Sequence, residues 1–402
     1  MTTTPDIIVK NHPSREQLEV IYDLLDKCFS VGRDFFQERL DQDTAYDPDT
    51  TWFAEVDGEI ASHVQIFPLY IRVGRAILKM GAIGSVGTDP HYRGLGLAHK
   101  ILHAQTNYMK ESDFDISLLL ASKHAFYEKA GWRLIPQTAL AIKKPASLER
   151  PSSCEVIPFE ARYLDEIRLI YEQFNLNRTY TAVRNETYWR DLITWPEWKR
   201  ADCLLLRRDE KIVAYGIIEK KEAEQIFLNE LMYLNEGEDG VEQLFHALCR
   251  LRPNARQILA MLQEDHKLYS YFQQHRATPI RINMAMWKMI NLSSAFHKLL
   301  PELEDRLRGA LIADQELHIA LKCNEEIIYM DYQQHQLSIS VTSKDTFDYI
   351  LLDLDERDLM TYIIFGYHEA AAERRAECAE HAGILQVLFP KQQAVFYLTD
   401  KF

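Results

Sequence analysis

Between Ile83 and Lys100 the chain carries an apolar run, an arginine, two glycines one residue apart and the start of an amphipathic segment. Read as a buried strand that passes through a glycine turn into a helix, this order suits an anion. The first N–H groups of a helix have no intrahelical acceptor and point back at the preceding loop, where a phosphate can take them. Gly94 and Gly96 let the backbone approach such a ligand with no Cβ in the way, and Arg93 adds a charge-assisted donor. Behind the loop Ala98, Ile101, Leu102, Tyr108 and Met109 recur at helical spacing, broken mainly by Gln105.

The flanking elements have to hold that loop. Ser14 to Gln17 is a capping-box pattern that opens a helix through Leu18, Ile21, Leu25, Cys28 and Phe29. Thr51 to Val56 and Ile60 to Val73 read as strands about a tight Asp57-Gly58 turn, with Pro68 marking a bulge or an edge. Gly74-Arg75 turns into the strand that reaches Thr88. After the glycine loop and its helix, Ile116 to Ala121 is a short apolar run expected as a buried strand. His124 to Gly131 is a short helix, and a final strand follows Trp132. The result is an α/β layer.

Lys143 to Ser153, with two prolines and mixed charge, is a linker candidate, and beyond it the same order returns. Helices are expected at Arg162 to Phe174, Val241 to Leu251 and Lys267 to Gln274. Strands are expected over Cys203 to Glu219, with a turn at Arg208 to Lys211, and at Phe227 to Leu234, Gln257 to Leu262 and Asn283 to Met289. At the position of the glycine loop this copy has Asn235 to Gly240, with three carboxylates where a phosphate would lie, so only the first copy should bind one. From Leu292 the pattern changes. A helix at Leu299 to Leu307 precedes alternating strands at Glu316 to Leu321, Glu326 to Asp331 and Leu337 to Val341. A long helix over Asp355 to Cys378 and a strand pair over Gln386 to Thr399 complete the chain.

The 402 residues suggest two or three domains at about 150 residues each. A net charge of -14 argues against a nucleic-acid partner. The N-terminal residues have no secretory pattern and no apolar run is long enough to span a bilayer, so a cytoplasmic protein without a membrane partner is expected. Six scattered cysteines fit neither a zinc site nor a disulfide framework. His91, His99, His103 and His124 near the loop show no metal spacing and read as surface or packing residues, and no metal is expected.

Arg93-Gly94-Leu95-Gly96-Leu97-Ala98 fits R/Q-x-x-G-x-G/A, and Phe126-Tyr127-Glu128-Lys129-Ala130-Gly131-Trp132 follows one strand later. This ordered pair resembles the acetyl-CoA loop and later helix of the GNAT acetyltransferases. The whole chain is similar to the Eis (enhanced intracellular survival) family of N-acetyltransferases. The resemblance implies an α/β (α+β) chain of two tandem GNAT-like domains followed by a sterol-carrier-protein-like α+β domain. The catalytic domain would be 1–147, the degenerate copy 148–291 and the third domain 292–402. It also implies acetyl-CoA as co-substrate, an amine acceptor that is a small molecule, an aminoglycoside or a lysine, and a homo-hexamer.

On this resemblance Arg93, Gly94, Leu95, Gly96, Leu97 and Ala98 would bind the pyrophosphate. The strand edge at Val86, Gly87 and Thr88 would receive the pantetheine arm, with an N–H polarising the thioester carbonyl, and Ser122 would lie beside the same arm. Tyr127 would be the general acid toward the thiolate of CoA, since a phenol near pKa 10 can donate to a thiolate whose thiol lies near 8.5. The α-carboxylate of Phe402 would reach the active site and accept a proton through water or stabilise an ammonium. Asp26 and Phe36 would wall the acceptor pocket, although Asp26 reads equally as a solvated carboxylate. Lys401, next to the terminal carboxylate, disfavours a polycationic acceptor. A competing reading makes the chain an acyl-CoA- or lipid-binding module without transferase activity.

Overall fold

The chain opens on an edge strand that the sequence pattern does not announce. The computed structural model describes residues 5–145, 154–221, 223–311, 313–367 and 381–402. In order the first elements are β1 (Ile7–Asn11), α1 (Arg15–Cys28), α2 (Arg33–Asp41), β2 (Thr51–Val56), β3 (Glu59–Val73), β4 (Ala76–Thr88), α3 (Leu97–Glu111), β5 (Ile116–Leu120), α4 (His124–Glu128) and β6 (Arg133–Leu134). Next come β7 (Gln137–Lys143), β8 (Glu155–Pro158), α5 (Leu164–Asn175), α6 (Glu186–Leu192), α7 (Pro196–Lys199), β9 (Ala201–Arg208), β10 (Lys211–Glu219), β11 (Gln225–Tyr233), α8 (Val241–Arg250), β12 (Gln257–Ala260), α9 (Lys267–Gln274) and β13 (Thr278–Ile282). The last are β14 (Ala285–Met289), α10 (Leu292–Arg308), β15 (Leu317–Cys323), β16 (Glu326–Gln333), β17 (Gln336–Ser340), β18 (Ile350–Leu354), α11 (Glu356–Phe365) and α12 (Ala382–Leu388).

Two units result: Met1–Ile135 with Asn283–Gln392 and Phe402, and Pro136–Ile282 with Gln393–Lys401. In the first, seven strands run in the order β1-β2-β3-β4-β5-β14-β6. Ser14 caps α1 as its pattern requires. Its backbone N–H donates to the Gln17 side chain at 2.9 Å, and its Oγ accepts the Gln17 N–H at 3.3 Å. Asp57 and Gly58 both have positive φ, which is the hairpin turn that the dipeptide encodes. β2 pairs with β3 only as far as Gln65, so Pro68 lies where that side of β3 is an edge and its missing N–H costs no ladder bond.

A second sheet of the first unit, in the order β17-β16-β15-β18, has β18 parallel to β15. α10 is longer than the expected Leu299 to Leu307 because Asn291 caps it, its side chain accepting from Ser294 N–H at 2.9 Å. Lys298 of this helix reaches buried Asp115 at 2.8 Å and ties the two sheets of the unit together. The expected helix over 355–378 ends at Phe365 within the described residues, where Gly366 has φ 96°, and 368–378 lie outside them. The expected strand pair over 386–399 does not form. Leu385 and Leu388 are buried one turn apart and make α12, and Ala394 contributes only an isolated bridge to Thr179.

The second unit is built on the order β13-β7-β12-β11-β10-β9-β8. α8 and α9 pack on one core of the unit and α5 contributes to another, and Arg208 to Lys211 turn as expected, with positive φ at Asp209 and Glu210. Two strands differ from their expected sheets. The run after Trp132 leaves only the short β6 in the first sheet, while β7 lies in the second. The run Asn283 to Met289 lies in the first, as β14 between β5 and β6. Alternation announces a strand but says nothing of its partner, and buried Met286 and Trp287 find theirs on Leu119, Leu118, Leu134 and Arg133.

Candidate active site

The site begins with a break in β4. Ser62 pairs with Thr88 and His63 with Gly87, yet Gln65 pairs with Gly84, so Ser85 and Val86 together oppose Val64. This is a β-bulge, and Ser85 takes φ 51°, unusual for a residue with a side chain. His63 holds it: its ring N–H, on Nδ1, donates to the Ser85 carbonyl at 2.9 Å. Full burial pushes the His63 imidazole down to about 4, so it stays neutral at ordinary pH. The Ser62 hydroxyl donates to the Gly87 carbonyl at 2.9 Å.

The bulge matters because of what lies on the other side. β4 pairs with β5 in parallel only from Met80 to Ile83, and β14 takes the far side of β5. From Gly84 to Thr88 the edge of β4 that faces β5 has no strand partner among the described residues. An amide-bearing chain could be received there as an added strand. Gly87 marks where a helix crowds the same stretch. A Cβ on it would come within 3.0 Å of Leu25 and 3.2 Å of Leu24, so α1 packs directly on this stretch, and the Cys28 thiol lies 3.4 Å from the Thr88 carbonyl.

Past Thr88 the chain turns through Asp89, whose carboxylate accepts the His91 N–H at 3.0 Å and meets Lys27 at 3.1 Å. The His91 N–H and ring, before the weaker help of Lys27, hold the Asp89 carboxyl down to about 2. Gly94 has φ 89° and Gly96 φ 71°, left-handed conformations that a side chain would strain, and a Cβ at either would meet open space. Gly96 precedes α3, whose first turn has no side-chain cap and no acidic residue. Its unpaired N–H groups therefore face an open cradle. Leu97 and Ala98 are buried and anchor the helix, while Leu95 is exposed. Arg93 is also exposed; its Nε donates to the Thr88 carbonyl at 3.3 Å, and its guanidinium has no carboxylate partner among the described residues. These groups fit a pyrophosphate.

The corresponding place in the second unit is closed. Asn235–Gly240 winds into a 3-10 turn in which a Cβ at Gly237 would sit 2.5 Å from the Val213 carbonyl. Asp239 pairs with Arg208 and Glu238 with Lys267.

Tyr127 sits in α4, half-buried, its ring edge-on to Phe126 at 4.9 Å. Burial pushes its phenol above the usual 10, and its hydroxyl makes no hydrogen bond among the described residues, so it keeps a proton to give. Its carbonyl accepts the N–H groups of Ala130 and Trp132, and Lys288 from β14 closes the turn by donating to the Ala130 carbonyl at 2.9 Å. Ser122 is exposed just beyond β5.

Phe402 also reaches β4. A Cβ on Gly84 would lie 2.9 Å from the Phe67 ring and 3.2 Å from the carboxyl carbon of Phe402, and the Phe402 and Phe67 rings lie 6.3 Å apart. The terminal carboxyl group thus abuts the first residue of the unpaired stretch. Phe36 is buried on α2 against Phe29 and Phe35. Asp26 is exposed and makes no hydrogen bond or ion pair among the described residues. His63 and Ser85 are not singled out by the sequence; the available signal is a histidine between apolar neighbours in a long strand.

Residues 11–135, which carry this constellation, match the Acetyltransferase (GNAT) domain family. That match spans β2 to β5 and the glycine cradle between them, the elements that build the site. A probable N-acyltransferase from Enterococcus faecalis superposes over 99% of this chain and 100% of its own, with a TM-score of 0.76 at 16% identity. A GCN5-related N-acetyltransferase from Anabaena variabilis does so over 99% and 100%, with 0.72 at 16%. Eis1 from Mycobacterium abscessus does so over 99% and 100%, with 0.65 at 14%. The chain is therefore Eis-like in fold along its length. No curated protein matches the sequence. Among the described residues no helix is long and apolar enough to cross a membrane, and no group of three or more His, Cys, Asp or Glu is placed to hold a metal.

Proposed function

We propose that the first unit transfers acetyl from acetyl-CoA directly to a primary amine in a ternary complex. The observation that carries this reading is the bulged end of β4, an unpaired strand edge that has the terminal carboxyl group beside its first residue, Gly84, and leads into an open glycine cradle. Arg93, Gly94, Gly96 and the first N–H groups of α3 hold the pyrophosphate, and Val86 to Thr88 receive the pantetheine arm beside Ser122. A backbone N–H of this edge polarises the thioester carbonyl. The amine nitrogen attacks that carbon, the C–N bond forms and the C–S bond breaks. Tyr127 gives its proton to the departing thiolate. The Phe402 carboxylate, directly or through water, takes the proton that the nitrogen loses. Phe36 contributes to the acceptor wall; Asp26, exposed as it is, would act only as a distant attractive charge.

The Eis likeness supports three further expectations: a homo-hexamer, residence in the cytoplasm and a sterol-carrier-like segment 292–402. It likewise supports a division into 1–147, 148–291 and 292–402 as units of descent, which differ from the two compact bodies. Release of free CoA from acetyl-CoA, followed across small amines, aminoglycosides and lysine peptides, tests the main reading. Acetylated product with at least one class is expected. Tight acetyl-CoA binding with no transfer to any of them would favour the binding module instead.

A further inference from the structure

We infer that His63 is a positioning residue that aims the Val86 N–H at the thioester carbonyl of acetyl-CoA; this rests on the acetyl-transfer reading above, in which the polarising N–H is not yet assigned to a residue. The β3–β4 ladder cannot aim it unaided. Its register runs Ser62 with Thr88 and His63 with Gly87 and resumes at Gln65 with Gly84, so the peptide that joins Ser85 to Val86 is passed over. A side chain fixes that peptide instead, since the His63 ring donates to the Ser85 carbonyl at 2.9 Å. The peptide is trans, and in a planar trans peptide the C=O and the following N–H point to opposite sides. Holding the Ser85 carbonyl toward His63 on β3 therefore turns the Val86 N–H away from that ring. The opposite edge of this stretch is the one with no strand partner among the described residues, where the pantetheine arm is received.

The surroundings make His63 a fixed support. Its ring is fully buried, and Ser62 beside it donates to the Gly87 carbonyl at 2.9 Å and lies 2.8 Å from the Thr88 hydroxyl. Gln65, two residues on and on the same face of β3, is engaged elsewhere. Its amide donates to Thr50 at 3.0 Å and to the Ile66 carbonyl at 2.8 Å, and it accepts from Thr51 at 2.7 Å. The conformation that results is strained, because Ser85 holds φ 51° with a Cβ, where a glycine would sit freely. Without the bond from His63 the residue relaxes toward negative φ, and the peptide turns and carries the Val86 N–H with it. As the amine adds, negative charge gathers on the thioester oxygen, and a donor already aimed there stabilises it most. The carbonyl is restored as the C–S bond breaks and its electron pair leaves on sulfur. His63 itself touches neither cofactor nor acceptor.

The test uses the full chain and CoA release with the amine that the wild type turns over fastest. His63→Leu cannot donate, and its kcat should fall by about 10²-fold with KM for acetyl-CoA nearly unchanged. His63→Asn places an amide N–H close to where the ring Nδ1 stood and should recover much of the rate. Adding Ser85→Gly to His63→Leu lets the backbone keep its positive φ without the ring, so the double variant should also exceed His63→Leu. A loss of mere stability would not be mended by that second change. An unchanged kcat in His63→Leu, or recovery in neither of the other two variants, overturns the inference. A second readout needs no amine. In protein labelled with 15N-valine, the Val86 amide resonance should move when acetyl-CoA replaces CoA in the wild type and in His63→Asn, and stay in place in His63→Leu. No movement in the wild type overturns the inference even where His63→Leu does not fold. Movement in the wild type with no amine turned over sustains it while the transfer reading fails.

Discussion

The imidazole of His99 lies flat on the ring of Phe126, centroids 4.1 Å apart and planes 21° from parallel, while its Nε2–H donates to the Phe126 carbonyl at 2.8 Å. His99 belongs to the first turn of α3, which faces the glycine cradle, and Phe126 precedes Tyr127 in α4. One side chain thus joins the turn proposed to bind phosphate to the helix of the proposed acid. His99→Leu removes both contacts and leaves the backbone donors in place. It should lower kcat roughly tenfold with KM for acetyl-CoA nearly unchanged, because a small misplacement of a reacting group is costly. His99→Gln can still donate to the carbonyl and should recover part of the rate. Parallel loss of kcat and acetyl-CoA affinity in both variants would mean that the residue serves binding alone.

Tyr127→Phe keeps the ring that packs on Phe126 and deletes only the hydroxyl. Turnover should fall by about 10²-fold to 10⁴-fold, the usual worth of a positioned acid, with acetyl-CoA binding retained. Since burial moves the phenol above 10, the acid form persists through the neutral and mildly alkaline range. Any alkaline loss of rate that belongs to Tyr127 must therefore lie above pH 10, and a pH–rate profile of the two proteins side by side would show it. A near-wild-type rate in Tyr127→Phe would remove this residue from the mechanism.

Gly84 is the position at which the terminal carboxyl group can be displaced without touching the C-terminus. An Ala there would press its methyl against Phe67 at 2.9 Å and against the Phe402 carboxyl carbon at 3.2 Å, both closer than ordinary contact. The side chain of Phe67 can give way in part, so the stability cost should be about 1–3 kcal/mol, as for other overpacked core sites. Activity should fall further than stability explains, by roughly 10-fold to 100-fold. Deleting Phe402 should reproduce the loss of kcat without the loss of stability. Thermal melts and steady-state rates on the two variants separate these effects.

The sequence made local features legible and long-range ones obscure. The capping box at Ser14, the Asp57-Gly58 turn and the glycine loop are short-range geometry, written in adjacent residues. The three carboxylates within Asn235 to Gly240 were equally legible; that two of them pair with Arg208 and Lys267 was not. The exchange of strands was not, because β14 and β7 read as ordinary strands whichever sheet receives them. The bulge at Ser85 depends on a hydrogen bond from His63, 22 residues earlier, and no spacing rule reports such a pairing. Phe402 was placed beside the first unit only through family resemblance. Its contact with Gly84 joins residues more than 300 positions apart, which no periodicity carries.

Two fully buried imidazoles make the protein acid-sensitive in a defined window. His63 donates to the Ser85 carbonyl and His266 to the Leu231 carbonyl, each through one ring nitrogen. In His266 the other nitrogen accepts the Leu268 N–H at 3.0 Å, an arrangement that only the neutral ring can make. Burial pushes both down to about 4 from an unfolded value near 6.5. Between those values the unfolded chain binds the protons and the folded one does not. The stability is therefore fully present above pH 6.5 and is lost as pH falls toward 4, by on the order of 3 kcal/mol for each ring. Asp89, held down to about 2, contributes only below its ordinary value near 3.8 and does not confuse the window. Thermal melts from pH 7 to pH 4.5 should show a steep decline in the wild type. In His266→Asn the melt at pH 7 should be lower, because buried contacts are lost, but the decline toward pH 4.5 should be shallower. A decline of equal steepness in that variant would show that other groups govern the acid response.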